Sequence, residues 1–489
     1  MNKLFYGLLL SALLYPTIGQ SQNISFADSQ VKAICVANWD SNGDGELSKT
    51  EAAAVTTLNK VFKDNTSITS FDELKNFTKV TSLASQEFYG CTNLTEITLP
   101  SKTKTIGAYA FQNCKSLTSI DIPSTVTSIS KNPFRGCENL TSITVNSANT
   151  YFDARDDCNA IIQKSNNALI SGCKTTILPT SVKRINDYAF DGITSLTEVN
   201  VPEGVTRIGE YAFARNPNLK RFYVPSTVTN FGNYALANTP GLETIIVSEN
   251  NTNYDSRNNC NAVIETAFNY LVCGCKTTVI PNTITWIARG AFFFCTSLTN
   301  IDIPSSVKRI DNEAFEGCSN LPKIIIPEGI EQLDEYAFSN CKKLKNVVIP
   351  STVTTIDWYL FYNTENITDV YSKISNPTAI YVTTFPDWVF EHATLHVPTG
   401  TKQRYTALTG WQKFANIVEE TAPGSVLNDY AMGDVNNDGS TSVNDVMGIV
   451  DYVLGNSSED INVAYADVNN DGEVTITDIM SLVDKILMR

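Results

Sequence analysis

The sequence predicts a mainly β protein, a solenoid of 23-residue units with a small helical module at each end. A 23-residue unit recurs through the middle of the chain, and phenylalanine returns at one position in nearly every unit. Three 12-residue loops with regularly spaced Asp and Asn stand near the ends, one at the head and two at the tail. Units of this length stack into one continuous core, since a single unit cannot bury its own apolar face.

The composition limits the classes of function. The chain has 489 residues, of which 42% are hydrophobic and 18% are charged, enough for several domains with large cores. The formal net charge of −15 argues against binding to nucleic acid and to anionic membrane surfaces, because both favour a basic face.

Residues 1–21 predict a secretory signal peptide. Lys3 gives a positive start, Leu4 to Leu14 form an apolar run, and small or polar residues follow. The run is too short for a membrane-spanning helix, which disfavours the alternative of an anchor. We therefore expect a secreted, extracellular protein, either soluble or associated with a cell surface.

Each unit predicts one coil of the solenoid. The pattern L-x-x-I-x-I/V-P indicates a short strand that proline ends, and a second apolar pair such as Val126 and Ile129 indicates another. The motif A-F-x-x-C follows, and each Phe buried there should contribute about 1.5–3 kcal/mol. The column comprises Phe88, Phe111, Phe134, Phe190, Phe213, Phe292, Phe315, Phe338 and Phe361, with Leu236 as the exception.

Two steps of the repeat are longer, 56 residues from Leu140 to Leu196 and from Leu242 to Leu298. They contain similar segments, CNAIIQKSNNALISGCKTT and CNAVIETAFNYLVCGCKTT, and predict one coil plus an inserted hairpin. Cysteines frame both inserts, Cys158 with Cys173 and Cys260 with Cys275. Whether these cysteines form disulfides stays open. Export permits disulfides, but the spacing of two cysteines in the sequence does not fix the distance between their side chains. Six other cysteines share one repeat position with Thr, Asn and Ile, which indicates a small buried group.

The three acidic loops predict calcium sites. Ca²⁺ takes six to eight oxygen ligands, and a 12-residue loop supplies them from positions 1, 3, 5, 7, 9 and 12 around a glycine at position 6. Asx-rich surface turns are the alternative, which three matches to this spacing disfavour. The candidate ligands are Asp40, Asn42, Asp44, Glu46, Ser48 and Glu51 at the head, Asp434, Asn436, Asp438, Ser440, Ser442 and Asp445 in the first tail loop, and Asp467, Asn469, Asp471, Glu473, Thr475 and Asp478 in the second.

The repeat L-x-x-I-x-I-P…A-F-x-x-C resembles the BspA-like leucine-rich repeat family of bacterial surface and secreted proteins. The resemblance covers residues 78–420, including a closing segment similar to that family's C-terminal cap. It implies adhesion to a protein or glycan ligand rather than catalysis.

The two tail loops, each followed by an amphipathic helix, resemble a type I dockerin at residues 432–489, after a linker at residues 421–431. The resemblance implies two calcium ions and docking onto a cohesin-like partner. The partner-contacting positions 10 and 11, often Ser-Thr, are here Val443 and Asn444, then Ile476 and Thr477, which indicates a divergent partner. The head loop is similar to a single EF-hand within a helical cap at residues 22–77, with one calcium ion in a structural role or, alternatively, as a sensor.

Side chains for catalysis are scarce. The only histidines, His392 and His396, have metal-ligand spacing for a helix, but their surroundings indicate strand and turn, so we interpret them as ordinary cap residues. A better site candidate is the fifth residue of each unit, which strand alternation directs outward. Either its apolar members form a ligand-binding patch, or inserts and loops cover them. These members are Tyr223, Ile246, Ile325 and Val348.

The sequence thus favours a secreted, non-enzymatic binding protein with a docking tail. One alternative is a component of a polysaccharide-degrading complex, with or alongside glycoside hydrolase activity, since dockerin-like tails usually accompany such enzymes. Another is a structural matrix protein.

Overall fold

The computed structural model describes residues 22–424, 433, 435–436, 441–455, 461, 463–469 and 473–487. The predicted signal peptide lies outside the described residues. The repeats form the predicted β-solenoid, with one coil for each 23-residue unit and helices at both ends.

The L-x-x-I-x-I segments form parallel strands that we call the front ladder. Equivalent strands one unit apart pair in register within four groups, as in Ser119↔Ser142 and Arg221↔Thr244. Side chains alternate between the core and the outer face along each strand. The ladder comprises Ser70–Phe71, Glu96–Ile97, Ser119–Ile122, Ser142–Val145, Glu198–Asn200, Arg221–Val224, Thr244–Val247, Lys323–Ile325, Asn346–Ile349 and Asp369–Ser372, and the cap strands Thr394–Pro398 and Asn416–Glu420 extend it.

The second apolar pair of each unit forms a two-residue strand on the opposite wall, the rear ladder. These strands are also parallel and in register, as in Ile185↔Ile208. The ladder comprises Ser82–Leu83, Thr105–Ile106, Ser128–Ile129, Arg184–Ile185, Arg207–Ile208, Asn230–Phe231, Trp286–Ile287, Arg309–Ile310, Gln332–Leu333 and Thr355–Ile356.

The two longer units contain the predicted hairpins. In each, two antiparallel strands follow a shorter one, and the last strand joins the rear ladder in parallel, as in Leu169↔Ile185 and Leu271↔Ile287. The insert strands are Phe152–Asp153, Ala160–Gln163 and Ala168–Gly172, then Tyr254–Asp255, Ala262–Glu265 and Tyr270–Gly274. Short 3-10 helices, Arg155–Asp157 and Arg257–Asn259, connect them.

Stacked phenyl rings fill the space between the ladders, as the sequence predicts. The rings of Phe292 and Phe315 are nearly parallel, 5° apart, with centroids separated by 4.9 Å, and Phe338 continues the stack at 5.5 Å. Leu236, the exception in the column, is also buried. The same apolar contact thus recurs between neighbouring coils in three runs, Phe88 to Phe134, Phe190 to Phe213 and Phe292 to Phe361.

All twelve cysteines are free thiols. Four thiols of the repeat column donate to the carbonyl of the Phe in the preceding coil, as from Cys114 to Phe88 at 3.1 Å. Where Asn216 replaces cysteine, its amide donates to the carbonyl of Phe190 at 2.9 Å. The position therefore accommodates a small or medium buried side chain, and Cys or Asn there adds a hydrogen bond between coils. The insert cysteines, whose pairing the sequence left open, are separate buried thiols, and burial raises the pKa of Cys158.

Helices close both ends. At the head are α1 (Ser29–Trp39) and α2 (Lys49–Ala54), and a 3-10 helix at Asp72–Asn76. The cap contains α3 (Asp387–His392), α4 (Lys402–Thr406) and a 3-10 helix at Trp411–Lys413, and the tail contains α5 (Val443–Val453), α6 (Val463–Ala466) and α7 (Ile476–Leu487). Among the described residues, no helix has the length and apolarity needed to cross a membrane.

The head differs from the prediction in two details. Within the segment predicted as a helical cap, residues 22–77, α2 ends at Ala54, where the β-branched run Val55 to Thr57 begins. Asn59 and Lys60 then adopt positive φ angles of 56° and 58°, which a helix does not allow. The front ladder also begins at Ser70, inside the segment predicted as the cap.

Candidate functional sites: calcium loops and outer faces

The head loop is closed by the carboxylates at its first and last positions. Asp40 at position 1 accepts from the backbone N–H groups of Gly43 and Gly45, at 2.7 and 2.8 Å. Gly45, at position 6, has a φ of 79°, the left-handed conformation that the sharp turn requires. The carboxylate of the first position is therefore directed inward over the loop.

Glu51 at position 12 ties the loop to α2. Its Oε2 accepts from the backbone N–H of Ser48 at 2.9 Å and from the Ser48 hydroxyl at 2.8 Å. Its Oε1 accepts from the N–H groups of Ser41 and Asn42, at 2.9 and 3.2 Å. These bonds, led by that from the Ser48 backbone, lower the pKa of Glu51 to about 2.

The remaining head-loop candidates lie between these two. The side chain of Asn42 accepts a hydrogen bond from the backbone N–H of Asp44 at 2.8 Å, and the carboxylate of Asp44 accepts one from the N–H of Glu46 at 2.9 Å. The Glu46 side chain pairs with Lys32 of α1 at 2.5 Å, which leaves its carbonyl, not its carboxylate, for position 7. The edge of the loop is bonded to the N-terminal segment, from the N–H of Ile24 to the carbonyl of Leu47 at 2.9 Å.

The two tail loops repeat the closure at position 12. Asp445 accepts from the N–H of Val435 at 2.9 Å and of Ser442 at 2.8 Å. Asp478 accepts from the N–H of Thr475 at 2.9 Å and of Asn469 at 3.1 Å. Both carboxylates are fully buried, and hydrogen bonds from the loop backbone lower the pKa of Asp478 despite the opposing effect of burial.

The tail candidates are only partly visible. Asp434, Asp438, Ser440 and Asp471 lie outside the described residues. The described candidates include the buried carboxylate at position 12 of each loop. They are Asn436, Ser442 and Asp445 in the first loop, and Asp467, Asn469, Glu473, Thr475 and Asp478 in the second.

The oxygen-rich donor set and the tight turns suit Ca²⁺, which prefers carboxylate, amide and carbonyl oxygens. Within the described ranges, no three carboxylate, imidazole or thiol groups converge closely enough to hold a metal as they stand. The carboxylates are instead occupied by loop N–H groups. Calcium binding would thus draw on side chains that the loops already direct inward.

The docking candidates lie at the start of the tail helices. Val443 and Ile476, at the first position of α5 and α7, are 51% and 65% exposed. Thr477 is exposed and Asn444 half-buried. The sequence reasoning missed a second matched pair one turn on, Met447 at 54% and Met480 at 64% exposure, which i, i+4 spacing places beside the first.

The strand-face candidates separate into two groups. Tyr223 pairs with Ile246 in the front ladder, half-buried and 49% exposed respectively. Ile325 pairs with Val348 in a different part of the ladder. Val348 is only 1% exposed, because the chain returns across it after the last cap strand, and a Cβ on Gly424 would lie 3.1 Å from it. Val348 as a surface contact is therefore wrong for this conformation: a loop covers it.

The two histidines stand apart, on different elements. His392 ends α3 and stacks on Trp388 at 4.5 Å. His396 lies in a cap strand between Asp369 at 3.0 Å and Glu420 at 2.5 Å. This arrangement agrees with their interpretation as cap residues.

Three of the solved structures that match this chain are bacterial leucine-rich repeat proteins. A leucine-rich cell surface protein of Faecalibacterium prausnitzii is 26% identical, with a TM-score of 0.48, over 72% of this chain and 84% of that one. A leucine-rich repeat protein of Eubacterium ventriosum is 24% identical, with a TM-score of 0.43, over 62% and 72%. One from Bacteroides ovatus is 22% identical, with a TM-score of 0.29, over 60% and 70%. No curated protein matches the chain.

Family models account for most of the sequence. The dockerin type I domain matches residues 432–487, and such domains generally bind calcium. The BspA type leucine-rich repeat region matches residues 56–156, 161–266 and 261–394, well over half of the chain. The solenoid built on the phenylalanine stack thus agrees with the sequence match, and the chain belongs to the BspA-type leucine-rich repeat family, with a type I dockerin domain at its C-terminal end.

Proposed function

We propose that this protein is a secreted, non-enzymatic binding protein whose solenoid holds a protein or glycan ligand while its tail attaches it to a partner. Leucine-rich repeat and dockerin modules are non-catalytic, and proteins that carry them are typically extracellular or surface-associated. Tyr223, Ile246 and Ile325 remain the strand-face candidates for the ligand.

The observation that carries the docking role is the internal symmetry of the tail. Each half has a carboxylate that closes its loop, Asp445 or Asp478, in the first turn of a helix with an exposed apolar pair. Val443 with Met447, and Ile476 with Met480, form matched patches of the kind that proteins bury on association. Two calcium ions in the tail and one in the head loop are part of this proposal.

Docking is tested with the full-length protein on a panel of recombinant cohesin domains, with calcium and with EGTA. We expect calcium-dependent binding to at least one cohesin-type partner. The variants Val443→Asp and Ile476→Asp should weaken it most when combined, and Phe268→Ala, an exposed site on the solenoid, serves as the matched control. Binding that is equally strong in EGTA, or that is equally strong for the Val443→Asp/Ile476→Asp double variant, would contradict this docking mechanism.

The dockerin also favours a second candidate, a role within a polysaccharide-degrading complex. To distinguish a binding protein from a hydrolase, the purified protein is incubated with a panel of polysaccharides and the reducing ends are assayed. Turnover would support hydrolase activity in the chain itself, and binding without turnover would support the first proposal.

A further inference from the structure

Aromatic side chains gather where the last coils turn, away from both ladders. Tyr336, Trp358, Tyr359, Tyr362 and Tyr381 form a continuous group that we call the aromatic patch. Tyr336 and Tyr359 stack at 5.3 Å and 8°, and Trp358 lies 6.2 Å from Tyr359 and 6.0 Å from Tyr381. Tyr336 and Tyr359 lie on successive coils, and their ring separation is slightly larger than the spacing between neighbouring strands.

The patch is open to solvent. Trp358, Tyr362 and Tyr381 are 48%, 51% and 53% exposed. The Tyr362 ring stands at 83° to Tyr336 and 90° to Tyr359, which fixes its orientation against their stack. Large rings held rigidly but left exposed are unusual in a surface that has no partner.

The same repeat position is treated differently in the middle of the solenoid. There Tyr211 and Tyr234 stack at 4.8 Å, and Arg215 and Arg289 lie over their rings at 5.4 and 5.8 Å. Those tyrosines are part of an internal network of cations and rings. At the same repeat position in the aromatic patch, Tyr336 and Tyr359 instead contact further rings, those of Tyr362 and Trp358.

A row of polar side chains runs beside the rings. The Asn340 amide donates to Oε1 of Glu316 at 3.0 Å, and the Asn363 amide donates to Oδ1 of Asn340 at 2.5 Å. Asn363 directly follows Tyr362 in sequence. These groups occupy successive coils and are oriented before any ligand arrives, which lowers the entropy cost of binding.

We propose that the aromatic patch and the Glu316–Asn340–Asn363 row bind a neutral polysaccharide chain lying across the last coils. Sugar rings present flat C–H faces that stack on Tyr and Trp, while their hydroxyl groups both donate and accept hydrogen bonds. Side-chain amides complement such hydroxyls, since they too carry both donors and acceptors. An aromatic surface with a few fixed polar groups is the composition expected of a ligand site.

The charge of the protein and of the residues beside the aromatic patch favours a neutral ligand. The net charge of −15 and the carboxylates beside the rings disfavour an anionic polymer. Burial and the neighbouring Glu313 raise the pKa of Glu316 to about 7, so its surroundings do not favour the charged form that a cation requires. Glu313 is already paired with Arg289 at 3.1 Å. The hydroxyl groups of a neutral ligand can donate to Glu316 when it is charged and accept from it when it is protonated.

The test is affinity electrophoresis of the full-length protein in gels containing a mixed-linkage β-glucan, a galactomannan or a xyloglucan, with poly-lysine and heparin in parallel. We expect at least one neutral polysaccharide to retard the protein. Trp358→Ala and Tyr362→Ala should each raise the apparent Kd about tenfold, as loss of one stacking ring does. Tyr362→Phe, which keeps the ring, should retain most of the binding.

Phe268→Ala, which removes a 70% exposed ring on an insert, is the matched control and should not change retardation. Thermal melts confirm folding, and Tyr381→Ala replaces any variant that does not fold. Retardation by no neutral polysaccharide, retardation unchanged in the ring variants, or ring-dependent binding to poly-lysine alone would each overturn the proposal. This proposal rests on the glycan option of the proposed function: loss of polysaccharide binding would overturn the aromatic patch as the site, whereas the docking role is tested separately, by the cohesin panel.

Discussion

The thiol of Cys318 donates a hydrogen bond to the carbonyl oxygen of Phe292, 26 residues earlier and one coil below, at 3.3 Å. Both residues are buried, so this bond joins neighbouring coils beside the phenylalanine stack. Cys341 bonds to Phe315 in the same way at 3.3 Å. The repeated cysteine is thus an inter-coil donor.

We expect Cys318→Val to destabilise the solenoid by about 0.5–1.5 kcal/mol, because valine fills a similar volume but cannot donate to the carbonyl of Phe292, which keeps only the backbone N–H of Cys295 at 2.9 Å. Guanidinium denaturation followed by circular dichroism measures the change in the free energy of unfolding. Phe268→Ala, at an exposed ring, should change it by less than about 0.5 kcal/mol. A Val variant as stable as the parent would show that the hydrogen bond contributes nothing.

The insert thiols provide a second prediction. Because Cys158, Cys173, Cys260 and Cys275 are separate thiols, alkylation of the unfolded, unreduced protein should label all twelve cysteines. Mass spectrometry counts the labels. In the native protein labelling should be slow, since burial raises the pKa of thiols such as Cys318 well above the usual value. Recovery of a Cys158–Cys173 or Cys260–Cys275 peptide pair would contradict this.

Gly274 should not tolerate a side chain. A Cβ there would lie 2.3 Å from Cε1 of Phe292, and Gly172 stands in the same relation to Phe190 in the other insert. Gly274→Ala must displace the first ring of the downstream stack, with an expected loss of about 1–3 kcal/mol in the free energy of unfolding. Gly274 does not have a positive φ, so backbone strain does not contribute to this loss. Guanidinium denaturation measures it, and a Gly274→Ala variant as stable as the parent would argue against the ring contact.

Glu51 predicts an acid-dependent stability of the head when calcium is absent. Its pKa falls from an ordinary 4.5 to about 2 in the fold, so the folded state binds its proton less readily than the unfolded state. The associated stabilisation is complete above about pH 4.5 and is lost as the pH falls towards 2. Glu51→Gln should therefore lower the melting temperature near pH 6 and converge with the parent near pH 2. Parallel curves at every pH would contradict this.

Calcium removal should affect the tail first. Its core is small, built around Val435, Ile449, Ala466 and Leu482, so metal binding is expected to contribute to its folding. EGTA should reduce the helical signal of the tail, and Asp445→Ala with Asp478→Ala should reproduce that loss in the presence of calcium. Hydrogen exchange of α5 and α7 measures it locally, with the Phe292–Phe338 coils as the internal control. Unchanged protection of both helices would argue against the calcium role.

The sequence by itself determined the repeat, and with it most of the fold. A 23-residue period with fixed apolar positions allows one kind of packing, coil on coil, because no unit can bury its own phenylalanine. The hairpins followed from the two longer steps, and the loop candidates followed from a ligand spacing that few other structures require. These features depend on short motifs or on a regular repeat, so they can be predicted from the order of the residues.

Only the tertiary structure decided what each outer face meets. Strand alternation directs Val348 outward, but it cannot show that Gly424, far along the chain, covers it. The cysteines that frame the inserts have a permissive spacing, yet their side chains bond to nearby carbonyls instead of to each other. The aromatic patch combines a repeat position, held by Tyr336 and Tyr359, with Tyr381 of the cap. Exposure depends on which distant segment packs where, and that information lies in the complete set of contacts rather than in the order of the residues.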